Sequence, residues 1–265
     1  MTDHLLVSKE NGVATLTMNR PEVRNALSIE MRHAMFEAVD DIEHDASVRC
    51  VVLKGAGGHF MAGGDIKAFT QFTEMPPIER QKTFEARIHN LHPMLMALRR
   101  MNKPVIASVQ GAAAGAGMSF MMACDMTIAA DDAFFKFSYV SIGASPDGSG
   151  SYYLPRLVGL RKALELAILG DRFDVQKAEE YGLVNWIVPA ADLEAETDKL
   201  AHKLADGPTV AIGNIKQLMY ASGGNSFESQ LAMEATSFGR SAATDDWIEG
   251  ITAFIEKRKP EFKGR

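Results

Sequence analysis

The sequence predicts an α/β fold that ends in a helical region, and three observations support this prediction. A strand-like run, a glycine-rich turn and a helix follow one another twice in the first half of the chain, which is typical of repeating β/α structure. From about Leu193 onward the hydrophobic spacing is helical throughout. The 265 residues, 46% of them hydrophobic and 23% charged, are enough to bury a large core. We therefore predict a core over residues 1–195 and a helical region over 196–265.

The first elements are predicted to be a hairpin, a helix and a strand. Two strand-like runs, 6–8 and 13–18, flank Asn11-Gly12, which is a strong signal for a tight turn. Ser28 is a good N-cap for the helix that follows, because its hydroxyl can accept a hydrogen bond from a free backbone N–H. Residues 49–54 then form a strand that enters a loop over 55–64 with five glycines.

The rest of the chain continues with alternating elements before it becomes helical. A long helix is predicted over about 78–100, and a strand over 104–110 leads into a second glycine- and alanine-rich loop over 111–117. The later predictions are short strands at 126–129 and 133–137, a helix at 160–169 closed by Gly170, a helix capped by Asp174, a strand at 183–188, and helices at 226–243 and 245–259.

Composition argues against several classes of protein. The net charge of -6 does not favour nucleic acid as a partner, since a surface for a duplex needs a positive excess. The two cysteines, Cys50 and Cys124, lie in apolar runs and are expected to be buried, inert thiols of a reducing, cytoplasmic compartment. We expect neither a signal peptide nor a membrane span, because no suitable apolar run is present. The spacing of His, Cys and carboxylate residues predicts no metal site.

The two glycine-rich loops are the main candidates for chemistry. Each leaves a strand and enters a helix, near Asp65 in the first case and near Gly115 in the second. A helix N-terminus has free N–H groups and the positive end of a dipole, and small residues let a ligand oxygen approach closely. Two such ends at one point would form an oxyanion hole. The alternative is that the glycines only permit tight turns and close packing.

Five motifs in order resemble the crotonase (enoyl-CoA hydratase/isomerase) family. They are MNRPEVRNALS, HFMAGGDIKAF, KPVIASVQGAAAGAG, ACDMTIAADDAFFKF and PDGSGSYYLPRLVG, and the resemblance continues through KAEEYGLVNWIVP to EGITAFIEKRKPEF. It implies a spiral of ββα repeats with a C-terminal helical trimerisation region, and therefore a homotrimer or a dimer of trimers. It also implies an acyl-CoA thioester as the substrate, with coenzyme A as part of that substrate and no separate cofactor.

The resemblance assigns roles to residues of both loops and of the chain ends. The oxyanion N–H groups would be those of Gly64 and Ala116. Alanine stands at 116 where most members have glycine, but it still supplies an N–H. The coenzyme A moiety would contact the backbone around Ala62, Asp65 and Ile66, and Arg24 and Lys257 would lie near its phosphates, Lys257 being donated by a neighbouring subunit. Solvated surface charge is the alternative interpretation of Arg24 and Lys257.

The acid–base residues depart from the pattern of the family's hydratases. Those enzymes carry two glutamates at the positions of Ser119 and Tyr139, and neither residue here is a carboxylate. Asp147 remains, at a position that resembles the catalytic acid of dienoyl-CoA isomerases, of the ring-epoxide isomerase of phenylacetyl-CoA breakdown and of chlorobenzoyl-CoA dehalogenase. The overall resemblance is greatest to the phenylacetate-pathway isomerase type. Pro146-Asp147-Gly148 is also a turn signature, so a purely structural aspartate is the alternative.

We expect an acyl-CoA isomerase, acting by a double-bond shift in an enoyl-CoA or by isomerisation of a ring-epoxide acyl-CoA. A single carboxylate suits a reaction that removes a proton and returns it elsewhere. Enoyl-CoA hydratase is the alternative, and a non-catalytic coenzyme A- or RNA-binding relative is a third. Aromatic substitution of the dehalogenase kind would need a helper base, for which His92 is a candidate. His92 and His59 can equally be structural histidines.

Overall fold

Nine strands in two sheets form the framework of residues 3–265, which are the residues that the computed structural model describes. The larger sheet has six strands in the order β1-β2-β3-β4-β6-β9, and the smaller has three in the order β5-β7-β8. The strands are β1 Leu5–Glu10, β2 Val13–Met18, β3 Cys50–Gly55, β4 Val105–Val109, β5 Ala112–Ala114, β6 Met126–Ala130, β7 Phe134–Lys136, β8 Arg172–Asp174 and β9 Trp186–Val188.

The hairpin predicted at the start of the chain is confirmed. Strands β1 and β2 pair antiparallel, with Glu10 opposite Val13, and the two residues between them are Asn11 and Gly12. Both have positive φ, 50° and 80°, as a two-residue hairpin turn of this hand requires. The following neighbours in the large sheet are all parallel, so they need long crossover connections that the helices supply.

Strand β3 shows why the large sheet is covered on both faces. Its side chains alternate, so Val51 and Leu53 lie in the larger hydrophobic core, and Cys50 and Val52 lie in a second one on the opposite face. Helix α9, Leu193–Ala205, covers the second face. The predicted division at residue 195 falls within α9. That division stays a prediction.

Twelve helices lie around the sheets in residues 3–265. They are α1 Ile29–His44, α2 Ile66–Phe69, α3 Pro77–His89, α4 His92–Arg100, α5 Ala116–Ala123, α6 Gly150–Val158, α7 Leu160–Leu169, α8 Val175–Glu180, α9, α10 Thr209–Ser222, α11 Phe227–Ala242 and α12 Asp245–Glu256. The predicted caps are confirmed: the Ser28 hydroxyl accepts a hydrogen bond from Met31 N at 3.0 Å, and Asp174 accepts one from Lys177 N at 2.9 Å. Over residues 3–265, no helix is long and apolar enough to cross a membrane.

The single helix predicted over 78–100 is wrong, because the chain forms two helices there. Helix α3 ends at His89, and α4 begins at His92 after Asn90 and Leu91. Pro93 explains the break, since its ring would collide with the carbonyl of residue 89 in a continuous helix. In the first turn of α4 its missing N–H costs nothing.

Both cysteines are buried, as expected from the apolar runs that contain them. Burial raises the pKa of the Cys50 thiol to about 12, and it raises that of Cys124 further. Burial therefore disfavours the thiolate form of both cysteines.

Candidate active site

A cavity of about 630 Å³ opens between the start of α1, the two glycine-rich loops and helices α2 and α3. Its wall is mostly apolar and includes both loops that the sequence singled out. The lining residues relevant to chemistry and binding are Arg32, Ala62, Gly64, Ile66, Phe69, Phe84, Glu85, Arg87, His89, Ala116, Tyr139 and Asp147. The structure thus brings together the predicted oxyanion residues and the predicted acid.

The two glycine-rich loops approach each other closely because glycines occupy two of the positions where they touch. A Cβ on Gly63, whose φ is 106°, would lie 3.1 Å from the Ala114 carbonyl oxygen and 3.6 Å from the Ala116 nitrogen. A Cβ on Gly117 would collide with the backbone oxygen of Met61. The glycines therefore do permit close packing, and that packing is what brings the N-terminus of α5 against the first loop.

The N–H groups of Gly64 and Ala116 are both free of protein acceptors within residues 3–265. Leu27 forms a parallel bridge opposite Gly64: its N–H donates to Gly63 O at 2.8 Å and its carbonyl accepts from Asp65 N at 3.3 Å. Gly63 and Asp65, the residues on either side of Gly64, make both of these bonds, so the N–H of Gly64 itself points away from Leu27. Ala116 is the first residue of α5, so its N–H has no partner within the helix. Two free donors at one cavity wall can stabilise an oxyanion.

Asp147 is half-buried in the cavity wall and is held by a chain of hydroxyl groups. The Tyr139 hydroxyl donates to Asp147 Oδ1 at 2.7 Å, and Ser119 Oγ lies 2.8 Å from the Tyr139 oxygen. Tyr139 has a single proton, which the carboxylate accepts, so Ser119 is the donor to Tyr139. Ser119 is 0% exposed. No other residue within 3–265 donates a side-chain hydrogen bond to the Asp147 carboxylate.

The environment of Asp147 makes it a better base than an ordinary aspartate. Burial raises the pKa of Asp147 above its usual range, and the hydrogen bond from Tyr139 opposes part of that rise. Burial and the charge of Asp147 raise the pKa of the Tyr139 phenol, so Tyr139 keeps its proton and remains a donor. The pair is suited to accept and return one proton.

The turn around Asp147 forms without help from its carboxylate. The Asp147 carbonyl accepts a hydrogen bond from Gly150 N at 3.0 Å, and the two residues between them have φ of 59° and 70°. The predicted turn is therefore present, but its hydrogen bonds come from the backbone. The carboxylate instead lines the cavity with Tyr139 bound to it.

The residues predicted to contact coenzyme A are distributed unevenly around the cavity. Ala62 and Ile66 line it, and the Ala62 N–H donates to the Arg24 carbonyl at 2.9 Å, which places the exposed Arg24 beside the wall. Asp65 caps α2 through Ala68 N at 3.2 Å and pairs with Arg20 at 2.9 Å, so its side chain has a structural role. Lys257 is exposed at the end of α12 and does not line the cavity.

The two candidate histidines differ in position. His59 Nδ1 accepts a hydrogen bond from Ala112 N at 3.1 Å, which is a structural contact between the loops. His92 is exposed at the start of α4, with its ring centre 5.1 Å from that of His89, and it is His89 that lines the cavity. A helper role for His92 stays a prediction.

Within residues 3–265, one group of carboxylates and histidine is close enough to share a cation. Asp40, Glu43 and His44 lie near the end of α1, away from the cavity, and Glu43 is already paired with Arg100 at 2.6 Å. Acidic side chains commonly cluster at surfaces without a metal. The expectation that no metal takes part stays a prediction.

Sequence reasoning missed two features of this site. Ser119 and Tyr139 were noted only as residues that are not glutamate, whereas the structure links them to Asp147 in one hydrogen-bonded chain. Arg32 and Arg87 were not considered, yet both line the cavity. A signal for Arg32 was present, because it lies beside Met31 on the apolar face of α1, where a charged residue is unusual.

Known proteins resemble this chain in both sequence and fold. The sequence model of the enoyl-CoA hydratase/isomerase family matches residues 8–265. The 1,2-epoxyphenylacetyl-CoA isomerase of Escherichia coli is 35% identical over 265 residues, covering 100% of both chains. The short-chain-enoyl-CoA hydratase of Clostridium acetobutylicum is 35% identical over 99% of both chains. The crystal structure of an enoyl-CoA hydratase from Polaromonas sp. JS666 superposes with a TM-score of 0.91 at 36% identity, over 98% of this chain and 99% of that one. This chain is therefore a member of the enoyl-CoA hydratase/isomerase family, with the crotonase-type fold.

Proposed function

We propose that the protein is an acyl-CoA isomerase that moves a proton with the single carboxylate of Asp147. The observation that carries this proposal is the chain from Ser119 through Tyr139 to Asp147, at the wall that also presents the N–H groups of Gly64 and Ala116. The two positions that hold glutamates in the family's hydratases are occupied here by hydroxyl groups. Those hydroxyls support one carboxylate and do not add a second.

The reaction that fits these groups is a 1,3-proton shift. With the thioester carbonyl at the N–H groups of Gly64 and Ala116, Asp147 takes a proton from the carbon chain and the electrons move onto the thioester oxygen as an enolate. The protonated Asp147 then returns the proton to a different carbon, and the C=O bond re-forms. No atom is gained or lost, so the double bond moves without water.

Tyr139 and Ser119 are positioning residues in this scheme. By donating to Oδ1, Tyr139 fixes the orientation of the carboxyl group and leaves Oδ2 for the substrate proton. The raised pKa of Asp147 brings it closer to that of a carbon acid made more acidic by the oxyanion hole, which favours transfer in both directions. Isomerisation of a ring-epoxide acyl-CoA, the reaction named in the Escherichia coli relative, would use the same groups.

Hydration of an enoyl-CoA is the alternative, and the name of the Clostridium relative favours it. It would require Asp147 alone to activate water and to handle the proton delivered to the α-carbon. The other carboxylate at the cavity, Glu85, is exposed and accepts a hydrogen bond from Gln81 Nε2 at 2.7 Å. It lies on α3 at the cavity edge and is not held in place by a buried partner.

Product analysis distinguishes the two reactions. The protein is incubated separately with 3-enoyl-CoA and 2-enoyl-CoA thioesters of several chain lengths, and the products are identified by mass spectrometry and chromatography. The isomerase proposal predicts interconversion of the two substrates with no change in mass. A 3-hydroxyacyl-CoA formed from the 2-enoyl thioester at around 10² per second or more, typical of an efficient enzyme, would contradict it.

A further inference from the structure

Two arginines line the cavity without a carboxylate partner. Arg32 lies on α1 and Arg87 on α3, and both belong to the wall that also contains Asp147. Among residues 3–265, every carboxylate oxygen is more than 4.0 Å from the nitrogens of both guanidinium groups, so neither arginine forms an ion pair. A guanidinium cannot lose its proton in a protein, so both groups are cations wherever they are buried.

Arg32 is the more deeply buried of the two. It is only 8% exposed, and its Nη1 donates to the Arg87 carbonyl at 3.0 Å. Its Nε is buried and has no hydrogen-bond partner among the described residues. Burial lowers the pKa of Arg32, and the charge of Arg87 lowers it further. An unpaired buried donor on a charged group costs free energy, and an anion bound near this guanidinium would offset part of that cost.

Arg87 is surrounded by aromatic rings. Its guanidinium carbon lies 5.7 Å, 5.2 Å and 5.8 Å from the ring centres of Phe69, Phe72 and Phe84. Burial lowers the pKa of Arg87 as well. The rings hold the planar guanidinium in place without neutralising it, so it keeps the capacity to bind a carboxylate.

The carboxylates at the cavity do not serve as partners for these arginines. Asp147 is bound to Tyr139, and the exposed Glu85 is bound to Gln81. The buried positive charge of the wall therefore exceeds what the protein balances. An anion supplied by the ligand would compensate this charge.

We propose that Arg32 and Arg87 bind a carboxylate at the far end of the acyl group, so that the preferred substrates are thioesters of coenzyme A with a dicarboxylic acid. This inference rests on the proposed function, because it requires the acyl chain of the thioester to lie in this cavity. The planar fork of an arginine matches a carboxylate, and the mostly apolar wall of the cavity suits the methylene groups of such a chain.

The phosphates of coenzyme A are the other possible anion, and the positions of the arginines favour the acyl end. Arg87 projects among the phenylalanines of α2, α3 and the segment between them, which is the apolar part of the wall. Phosphates are strongly hydrated, and the resemblance assigns them to Arg24 and Lys257, both of which are exposed. The experiment below separates these two sources.

Binding of saturated thioesters tests the proposal without using the chemistry of the site. Calorimetric titration compares butyryl-, hexanoyl- and octanoyl-CoA with succinyl-, adipyl- and suberyl-CoA, which replace the terminal methyl group with a carboxylate. None of the six has a double bond to move. We expect at least one dicarboxylic thioester to bind about 10-fold or more tightly than its partner of equal length, as one charged hydrogen-bonded contact would give.

Substitutions of the two arginines assign that preference to residues. Arg32→Met and Arg87→Met should each reduce the preference for the dicarboxylic thioester about 10-fold, with little change for the methyl-ended partner. Arg32→Lys should restore part of it. Arg80→Met is the matched control on α3, because Arg80 donates to the carbonyls of Thr73 and Met75 and does not line the cavity.

Three results would overturn the proposal. The wild-type protein could show no preference at any chain length. Both arginine variants could lose affinity equally for dicarboxylic thioesters, methyl-ended thioesters and free coenzyme A, which would assign the arginines to the phosphates. The preference for the dicarboxylic thioester could also survive in Arg87→Met. If circular dichroism shows that Arg32→Met does not fold, the result for the half-buried Arg87 decides the test. The titrations measure binding alone, whereas a failure of the isomerase mechanism would appear in the product analysis, so the two failures are distinguished.

Discussion

The hydroxyl groups of Ser119 and Tyr139 give the carboxylate of Asp147 a setting that an exposed aspartate lacks. Burial disfavours the charged carboxylate, and the Tyr139 hydroxyl favours it, so the pKa of Asp147 is the balance of two opposed effects. The motif around Asp147 singled it out as the candidate acid, and the structure places it in the cavity wall. Its partners could not be predicted, because Tyr139 and Ser119 are 8 and 28 residues away in sequence and reach this chain of hydrogen bonds only in the folded protein.

Tyr139→Phe should move the pH dependence of catalysis to higher pH. The base must be ionised, so kcat/KM rises as pH rises through the pKa of Asp147 in the free enzyme. The Tyr139 hydroxyl stabilises the ionised form and lowers that pKa, so its removal raises the pKa and shifts the acid limb upward. The measurement is kcat/KM against pH for both proteins.

Ser119→Ala is the control for this shift. It leaves the Tyr139 hydroxyl in place, so it should move the acid limb in the same direction by less. An acid limb unchanged in a folded Tyr139→Phe protein would mean that the hydrogen bond to Asp147 Oδ1 does not act on the catalytic base.

The N-terminus of α5 is the element that presents the second proposed oxyanion donor. Ala116 is its first residue and lines the cavity, and Gly115 before it has a φ of 50°, which a glycine adopts without strain. Sequence reasoning located this helix start because glycines and alanines cluster there. It did not predict strand β5 just before it, since three alanines carry no strand signal and the strand forms only by pairing with β7.

Ala116→Pro should lower turnover about 10²- to 10³-fold while leaving thioester binding nearly unchanged. Proline is tolerated at the first position of a helix, so the loss should come from the missing N–H and not from a broken α5. The measurement is kcat, with binding of a saturated thioester and circular dichroism alongside. Ala116→Gly keeps the N–H and should retain most activity. Near-normal turnover in a folded Ala116→Pro protein would place the oxyanion donor elsewhere.

Helix α6 shows the limit of local signals at this scale. Its sequence begins with glycine and contains Pro155, so local propensity argues against a helix. The helix forms because Tyr153 and Leu154 are buried against neighbouring elements, which repays the local cost. By contrast, both ends of α7 were predicted correctly. Its apolar spacing indicates a helix, and Gly170, which has a φ of 63°, marks where the helix ends.

The whole molecule carries a large apolar surface on its C-terminal helices. Phe227, Phe238, Phe254, Ile248 and Ile255 are all exposed, and Phe254 is 85% so. Exposed apolar patches of this kind mark interfaces between proteins. Hydrophobic periodicity could predict these helices, but it could not show which of their faces stays uncovered in the folded chain.

We expect the protein to form a trimer or a dimer of trimers through these helices. Light scattering should give a mass of three or six times 28.9 kDa. Phe254→Asp should weaken the assembly, because it buries a charge in the apolar interface. Leu6→Asp, at an exposed apolar residue of β1, is the control and should leave the mass unchanged. A mass of 28.9 kDa for the unaltered protein at working concentration would contradict this expectation.

Transfer of a labelled proton tests the central claim, that Asp147 alone carries the proton from one carbon to another. A substrate with deuterium at the carbon that is deprotonated is converted in ordinary water, and the product is examined by mass spectrometry and NMR. We predict that part of the deuterium appears at the new position in the product.

Asp147→Asn should reduce turnover about 10²- to 10⁴-fold with thioester affinity nearly intact, because asparagine keeps the shape but cannot accept the proton. The exposed Asp171→Asn should behave like the unaltered protein. Full activity in a folded Asp147→Asn protein, or a hydroxylated product whose α-hydrogen comes only from solvent, would contradict the account.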